Sequence, residues 1–213
     1  MFKFDKLVFG DLGWGDELLF ATLMTITVSI LSMGLGLCLA IITVWAKLIT
    51  NRITRLIANF YTTVVRGVPE LLVIYLIFFG GNSVVMGVAK LFGYNGYIEL
   101  NALTIGTIAI AFISATYSSE VIRAAYLAVN KGQVEAAKAL GLNKIQIFLR
   151  VMGPQIIRYA LPGIGNVWQI TLKDTSLISV TGLVEIMRQT RIASNVEHSP
   201  LTFLITAAFL YQI

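Results

Sequence analysis

Residues 18–46 run without a single Asp, Glu, Lys or Arg, and this one stretch narrows the choice of fold more than any other. About 20 apolar residues suffice to cross a bilayer as a helix, and this run is longer. A helix at the surface of a soluble core keeps one polar face; this stretch has none. Further apolar stretches, three of them interrupted by charged residues, follow at 56–80, 101–122, 157–180 and 201–213. With 57% hydrophobic and only 13% charged residues among 213, the chain reads as an all-α polytopic membrane protein with five transmembrane helices. The fifth stretch is short of the crossing length, so the natural protein is expected to continue beyond it.

The same inventory removes several kinds of function. The net charge of +5 sits in the connections between apolar runs, which argues against nucleic-acid binding. Cys38 is the single cysteine and His198 the single histidine, so a disulfide, a histidine-rich metal site and a hydrolytic triad lack their parts. No enzyme chemistry and no metal are expected. Residues 1–17 mix Lys3 and Lys6 with Asp5, Asp11, Asp16 and Glu17, unlike a cleaved signal.

Loop charge sets the orientation. Lys47, Arg52 and Arg55 lie in the first connection, and six basic residues against Glu135 lie between Arg123 and Arg158. The other two connections are neutral by count, Lys90 against Glu99 and Arg188 and Arg191 against Glu185 and Glu197. The positive-inside rule then puts the first and third connections in the cytoplasm and the N-terminus outside.

Several polar groups fall at membrane depth. Thr22, Thr25, Thr27, Ser29, Ser32, Gly34 and Gly36 suit close helix packing in the first span. In the second, Arg66-Gly67-Val68-Pro69-Glu70 interrupts the apolar run. Pro69 is expected to kink the helix there, with Arg66 and Glu70 paired at i,i+4. A structural pair and a role in gating stand equal for Arg66, Gly67 and Pro69, and Pro154 and Pro162 are counted with them. Glu70, Glu120 and Asp174, with Thr175 and Ser176, are candidates for a substrate path, since a cationic or zwitterionic ligand in a dry cavity needs carboxylates. The competing reading pairs these acids with Arg66, Arg123 and Lys173, most readily Glu120 with Arg123 at i,i+3.

The basic central connection, residues 131–154, is rich in helix formers. Gly141 divides it into two short helices. Leu142, Ile145 and Leu149, with Phe148, form an apolar stripe, and Asn143, Lys144, Gln146 and Arg150 take the other face. Glu135-Ala136-Ala137, Gly141 and Pro154, at this spacing, resemble the EAA loop of bacterial ATP-binding-cassette importer permeases. Three further runs resemble the polar amino-acid branch of that family: RGVPELL, YSSEVIRAAYLAVNKGQVEAA (117–137) and RYALPGIGNVWQITLKDTSLISVTGL (158–183), the last as in histidine/lysine/arginine/ornithine and opine permeases. Gly153 departs from the pattern, which prefers a large apolar residue before the proline.

The resemblance implies a type I importer permease of the bacterial inner membrane, with a cytoplasmic EAA-type coupling helix in which Glu135, Ala136, Ala137 and Gly141 meet a separate ATPase. It further implies a second permease subunit, the same or a sister chain, and an extracytoplasmic amino-acid-binding protein. ATP and Mg would belong to the partner, since this chain has no phosphate-binding G-x-x-x-x-G-K-[ST] loop. A basic amino acid or an opine is the expected substrate. A non-transporting scaffold and an ion channel are the alternatives, and neither accounts for the spacing in the central loop.

Overall fold

The computed structural model describes residues 4–10, 13–94, 96 and 101–212; Lys3, Asp11 and Glu99, used above in the charge counts, lie outside them. Every regular element among the described residues is helical. After a short 3₁₀ turn at Phe4–Leu7, α1 spans Gly15–Leu48, about 51 Å at the usual rise. Asp16 and Glu17 open it and Lys47 closes it, each complementing the helix dipole. The helix α2 (Arg52–Gly67) follows after an Asn51 cap whose side chain accepts the Ile53 N–H at 2.9 Å.

Val68 is extended, with φ −104° and ψ 143°, as the residue before a proline tends to be. The chain therefore breaks where a kink was expected. The next helix starts afresh at Glu70: α3 (Glu70–Tyr75) passes through a π turn (Leu76–Gly80) straight into α4 (Gly81–Leu91). Residues 81–91, which fall in the neutral connection that carries Lys90, prolong this helix. Residues 70–91 together are long and apolar enough to cross a membrane, as are α1 and α5 (Ala102–Ala128). Of those three, α5 is the most buried, 67% of its apolar window lying inside the protein.

Beyond α5 come α6 (Lys131–Ala139), α7 (Lys144–Ile147), a second π turn (Phe148–Met152) and α8 (Gly153–Asp174). Pro154 is the second residue of α8, just past the widened turn, a place where the missing N–H and the bulk of the ring are tolerated. A 3₁₀ segment (Thr175–Thr181) leads to α9 (Ile186–Glu197) and α10 (Pro200–Leu210).

The chain forms two compact units. One gathers residues 1–32, 70–110 and 170–213, the other residues 33–69 and 111–169. In the first, Val28, Ile110, Ile178 and Leu183 form one apolar cluster. Leu18, Ala193 and Phe203 form another, against which Leu7 and Trp14 pack. The Ser32 hydroxyl donates to the Thr107 carbonyl at 3.1 Å and joins α1 to α5. Other hydroxyls of α1, Thr22 and Thr25 among them, return to carbonyls of their own helix, which is how polar side chains are accommodated in an apolar core.

In the second unit small residues allow close approach. A Cβ on Gly163 of α8 would lie 2.6 Å from Cγ1 of Val121 on α5. The Tyr61 hydroxyl of α2 donates to the Phe112 carbonyl of α5 at 2.6 Å, and the two rings pack tilted at 52° with centroids 4.6 Å apart.

Candidate functional site

The central loop is built by three backbone devices in series. Asn130 caps α6, its side chain accepting the Gly132 N–H at 2.8 Å. At the far end Gly141 adopts φ +76°, the left-handed region that side chains with a Cβ avoid. Its N–H donates to the Lys138 carbonyl at 2.9 Å and the Leu142 N–H donates to the Ala137 carbonyl at 3.1 Å. These two bonds are the Schellman arrangement that closes a helix and turns the chain. Asn143 then opens α7 with a reciprocal capping box: its side chain accepts the Gln146 N–H at 2.9 Å, and Gln146 accepts the Asn143 N–H at 3.0 Å.

This geometry decides which residues face outward. Glu135, Ala136 and Gly141 are exposed, whereas Ala137 is buried. Leu140 and Ile145 stand out at 80% and 70% exposure, joined by Phe148 and Leu149. The sequence had assigned Leu142, Ile145, Phe148 and Leu149 to one stripe. In the structure Leu142 is half-buried, Ile147 takes the inward position and Leu140 the outward one. The shift arises because the Gly141 turn re-aims α7, so a single helical period cannot be carried across it. A side-chain hydrogen bond from Gln155 to Gln133 ties α6 to α8.

The acids singled out from the sequence divide into two sets. The Asp174 carboxyl is buried and hydrogen-bonds to that of Glu70, the first residue of α3. Thr171 on α8 is buried with its hydroxyl unpartnered among the described residues, and Thr175, which opens the 3₁₀ segment, donates to the Leu172 carbonyl at 2.7 Å. Ser176 is half-buried and Lys173 is exposed. Glu120 is held differently: one carboxylate oxygen receives the Lys47 ammonium and the other the Arg123 guanidinium at 3.1 Å. Arg66 and Glu70 do not share a helix face, because the break at Val68-Pro69 falls between them. The Arg66 guanidinium lies 5.4 Å over the Tyr117 ring.

Reasoning from the sequence missed Lys47 as a partner of Glu120, and it missed the cluster around Glu185. That carboxylate is fully buried, accepts the Arg188 and Met187 N–H groups at 2.7 and 2.8 Å, and accepts the Tyr211 hydroxyl at 2.8 Å. Burial pushes the Glu185 carboxyl up from its ordinary range, while the Met187 N–H and then the Tyr211 hydroxyl oppose the rise.

Residues 33–212 match the family model described as the binding-protein-dependent transport system inner membrane component. The chain belongs to this family. It is therefore a membrane permease subunit of an ATP-binding-cassette importer, and its own part in that importer is not catalytic. The nopaline transport system permease protein NocQ of Agrobacterium fabrum is 50% identical over 208 residues, covering 97% of this chain and 88% of that protein. The octopine permease OccQ of Rhizobium radiobacter is 45% identical, with 96% and 86% covered. The histidine/lysine/arginine/ornithine permease HisQ of Escherichia coli is 38% identical, with 94% and 88% covered. Among solved structures, an amino acid ABC transporter with histidines superposes with a TM-score of 0.78 at 29% identity, covering 93% of this chain and 87% of that one.

Proposed function

We propose that this permease carries a cationic opine or basic amino acid inward and is driven by a separate ATPase that docks on α6–α7. The observation that carries the coupling half is the α6–Gly141–α7 turn. Two caps and a Schellman closure hold it rigid, and it turns Glu135, Ala136, Leu140 and Ile145 away from the rest of the chain. Exposed apolar side chains beside a carboxylate, on the side of the membrane where ATP is found, suit a protein partner. In this reading the chain crosses the membrane five times, with the N-terminus outside and residues 131–154 in the cytoplasm. A second permease subunit completes the path and a binding protein delivers ligand from outside. Lipid surrounds the assembly, and ATP and Mg belong to the ATPase.

For the substrate, the Glu70–Asp174 pair is the favoured contact, with the Thr171, Thr175 and Ser176 hydroxyls around it. The relatives named for nopaline, octopine and histidine/lysine/arginine/ornithine share ligands with a basic side chain, and two acids at membrane depth complement such a group. Glu120 is left out of the path, since both its oxygens already face cations of this chain.

The test is ATP hydrolysis by the chain co-reconstituted with the ATPase, any sister permease and the loaded binding protein. Nopaline, octopine, arginine, lysine, ornithine and histidine are offered one at a time. Stimulation by one of them supports the reading and names the ligand. Failure of an ATPase to bind the chain at all overturns it.

A further inference from the structure

The docking reading leaves open how motion of α6 reaches the rest of the bundle, and the buried ammonium of Lys47 supplies a route. Lys47 closes α1, and its side chain is 4% exposed. It donates to the Thr62 hydroxyl of α2 at 2.6 Å and to the Glu120 carboxylate of α5. Arg123, one turn further along α5, holds the second oxygen of the same carboxylate. One ammonium thus joins three helices. We infer that Lys47, Thr62 and Glu120 form a latch that makes α1, α2 and α5 move together when the coupling loop moves; the inference rests on the ATPase-docking reading above.

The geometry argues for transmission rather than packing alone. Glu120 lies eight residues before the end of α5 at Ala128, about 12 Å along the axis, and α6 begins at Lys131. A displacement of α6 therefore enters the bundle at the end of α5 and meets the latch within about two turns. Sliding α1 or α2 past α5 would strand a buried ammonium without its carboxylate or hydroxyl, which costs more than the free energy that ordinarily couples two sites. The three helices then favour two discrete arrangements over continuous slippage. Two more contacts between α2 and α5, Tyr61 on the Phe112 carbonyl and Arg66 over Tyr117, keep those helices in register on either side of Thr62. An apolar pair at 47 and 120 would hold the helices together with less resistance to sliding.

A spectroscopic label on α2 tests this without knowing the transported ligand. Cys38 is exposed and is replaced by serine; Arg55→Cys, exposed on α2, then carries a nitroxide. The complex with its ATPase is assembled in nanodiscs, and the label is read with and without ATP. The expected result is an ATP-dependent change at position 55 in the otherwise unaltered chain. Lys47→Met, Glu120→Gln and Thr62→Val should reduce that change by roughly fivefold or more, the low end of a typical coupling between sites, while the ATPase still binds. Thr62→Val removes only the α2 tie and keeps the charges paired, so it decides the matter if the two charge variants fail to reach the membrane. An undiminished ATP response in Thr62→Val together with either charge variant overturns the latch, and so does a label that never responds in the unaltered chain. If the ATPase does not bind the unaltered chain, the docking reading fails and the latch fails with it.

Discussion

Gly141 offers the sharpest test of the coupling turn, because its constraint is purely conformational. Its φ is +76°, and a Cβ built there would meet no atom within 4 Å. Replacing it with alanine therefore introduces no clash beyond the residue's own backbone. The left-handed conformation costs an L-residue with a Cβ about 1–2 kcal/mol. If ATPase binding requires the closed turn, the apparent affinity falls by the loss of that population, about 5- to 30-fold for this cost. The substitutions should rank, since asparagine tolerates the left-handed region, alanine less, and valine least. The assay is the affinity of the purified ATPase for nanodisc-embedded Gly141→Asn, Gly141→Ala and Gly141→Val, with membrane levels checked by immunoblot. The reasoning is refuted if alanine and valine stay within about twofold of the unaltered chain, or if asparagine is as damaging as valine.

Other perturbations follow from the same geometry. Glu70→Gln and Asp174→Asn should each lower uptake of a cationic ligand about tenfold or more, the value of one hydrogen bond to a charged group, while leaving ATPase binding intact; radiolabelled uptake checks this. Gly163→Ala puts a methyl group against Val121 and should destabilise by about 1–3 kcal/mol through overpacking, read as a lower melting temperature of the purified chain. Glu185→Ala removes the cap of α9 and one of the hydrogen-bond partners of the half-buried Tyr211 hydroxyl, about 1–3 kcal/mol together, seen as faster amide exchange in α9. Glu185 lies outside the stretches read as spans, and burial raises its folded-state pKa. Its contribution to stability is then complete below the ordinary carboxylate value of about 4.3 and declines as pH rises through the elevated one. Glu185→Gln should flatten that decline in a pH series of melting curves.

What was legible in the sequence was local. Gly141 stood between two runs of helix formers, where a glycine readily divides one helix into two. The uncharged runs announced α1 and α5 because a bilayer demands length and apolarity at once. The Glu120–Arg123 pair was visible because three residues on a helix are neighbours. What stayed hidden was long-range or depended on a turn's angle. Lys47 counted as a loop charge because its partner is 73 positions away; in fact it lies within α1 and is buried. Glu70 was matched with Arg66 by spacing, yet Pro69 forces Val68 extended and ends that helix. The inward side of α7 was misjudged for a similar reason, since periodicity does not survive the bend at Gly141. The Glu185 cluster draws on Tyr211, which no local motif connects to it.

If an ATPase docks on α6–α7 as proposed, the π turn at Phe148–Met152 gives the two exits of that loop different mechanical characters. A π turn holds one residue more than the α-helical ladder accommodates, so its hydrogen bonds are looser and its register can shift by small rotations. Force leaving α7 toward α8 meets this compliant joint first and is partly spent in winding it. Force leaving α6 toward α5 enters an uninterrupted helix that is braced within two turns by Lys47. On that proposal the loop would act less like a lever rigid at both ends than like a crank with one stiff arm and one sprung arm. A helix-straightening deletion of one residue in Phe148–Met152 would stiffen the second arm and change how the stroke divides between them.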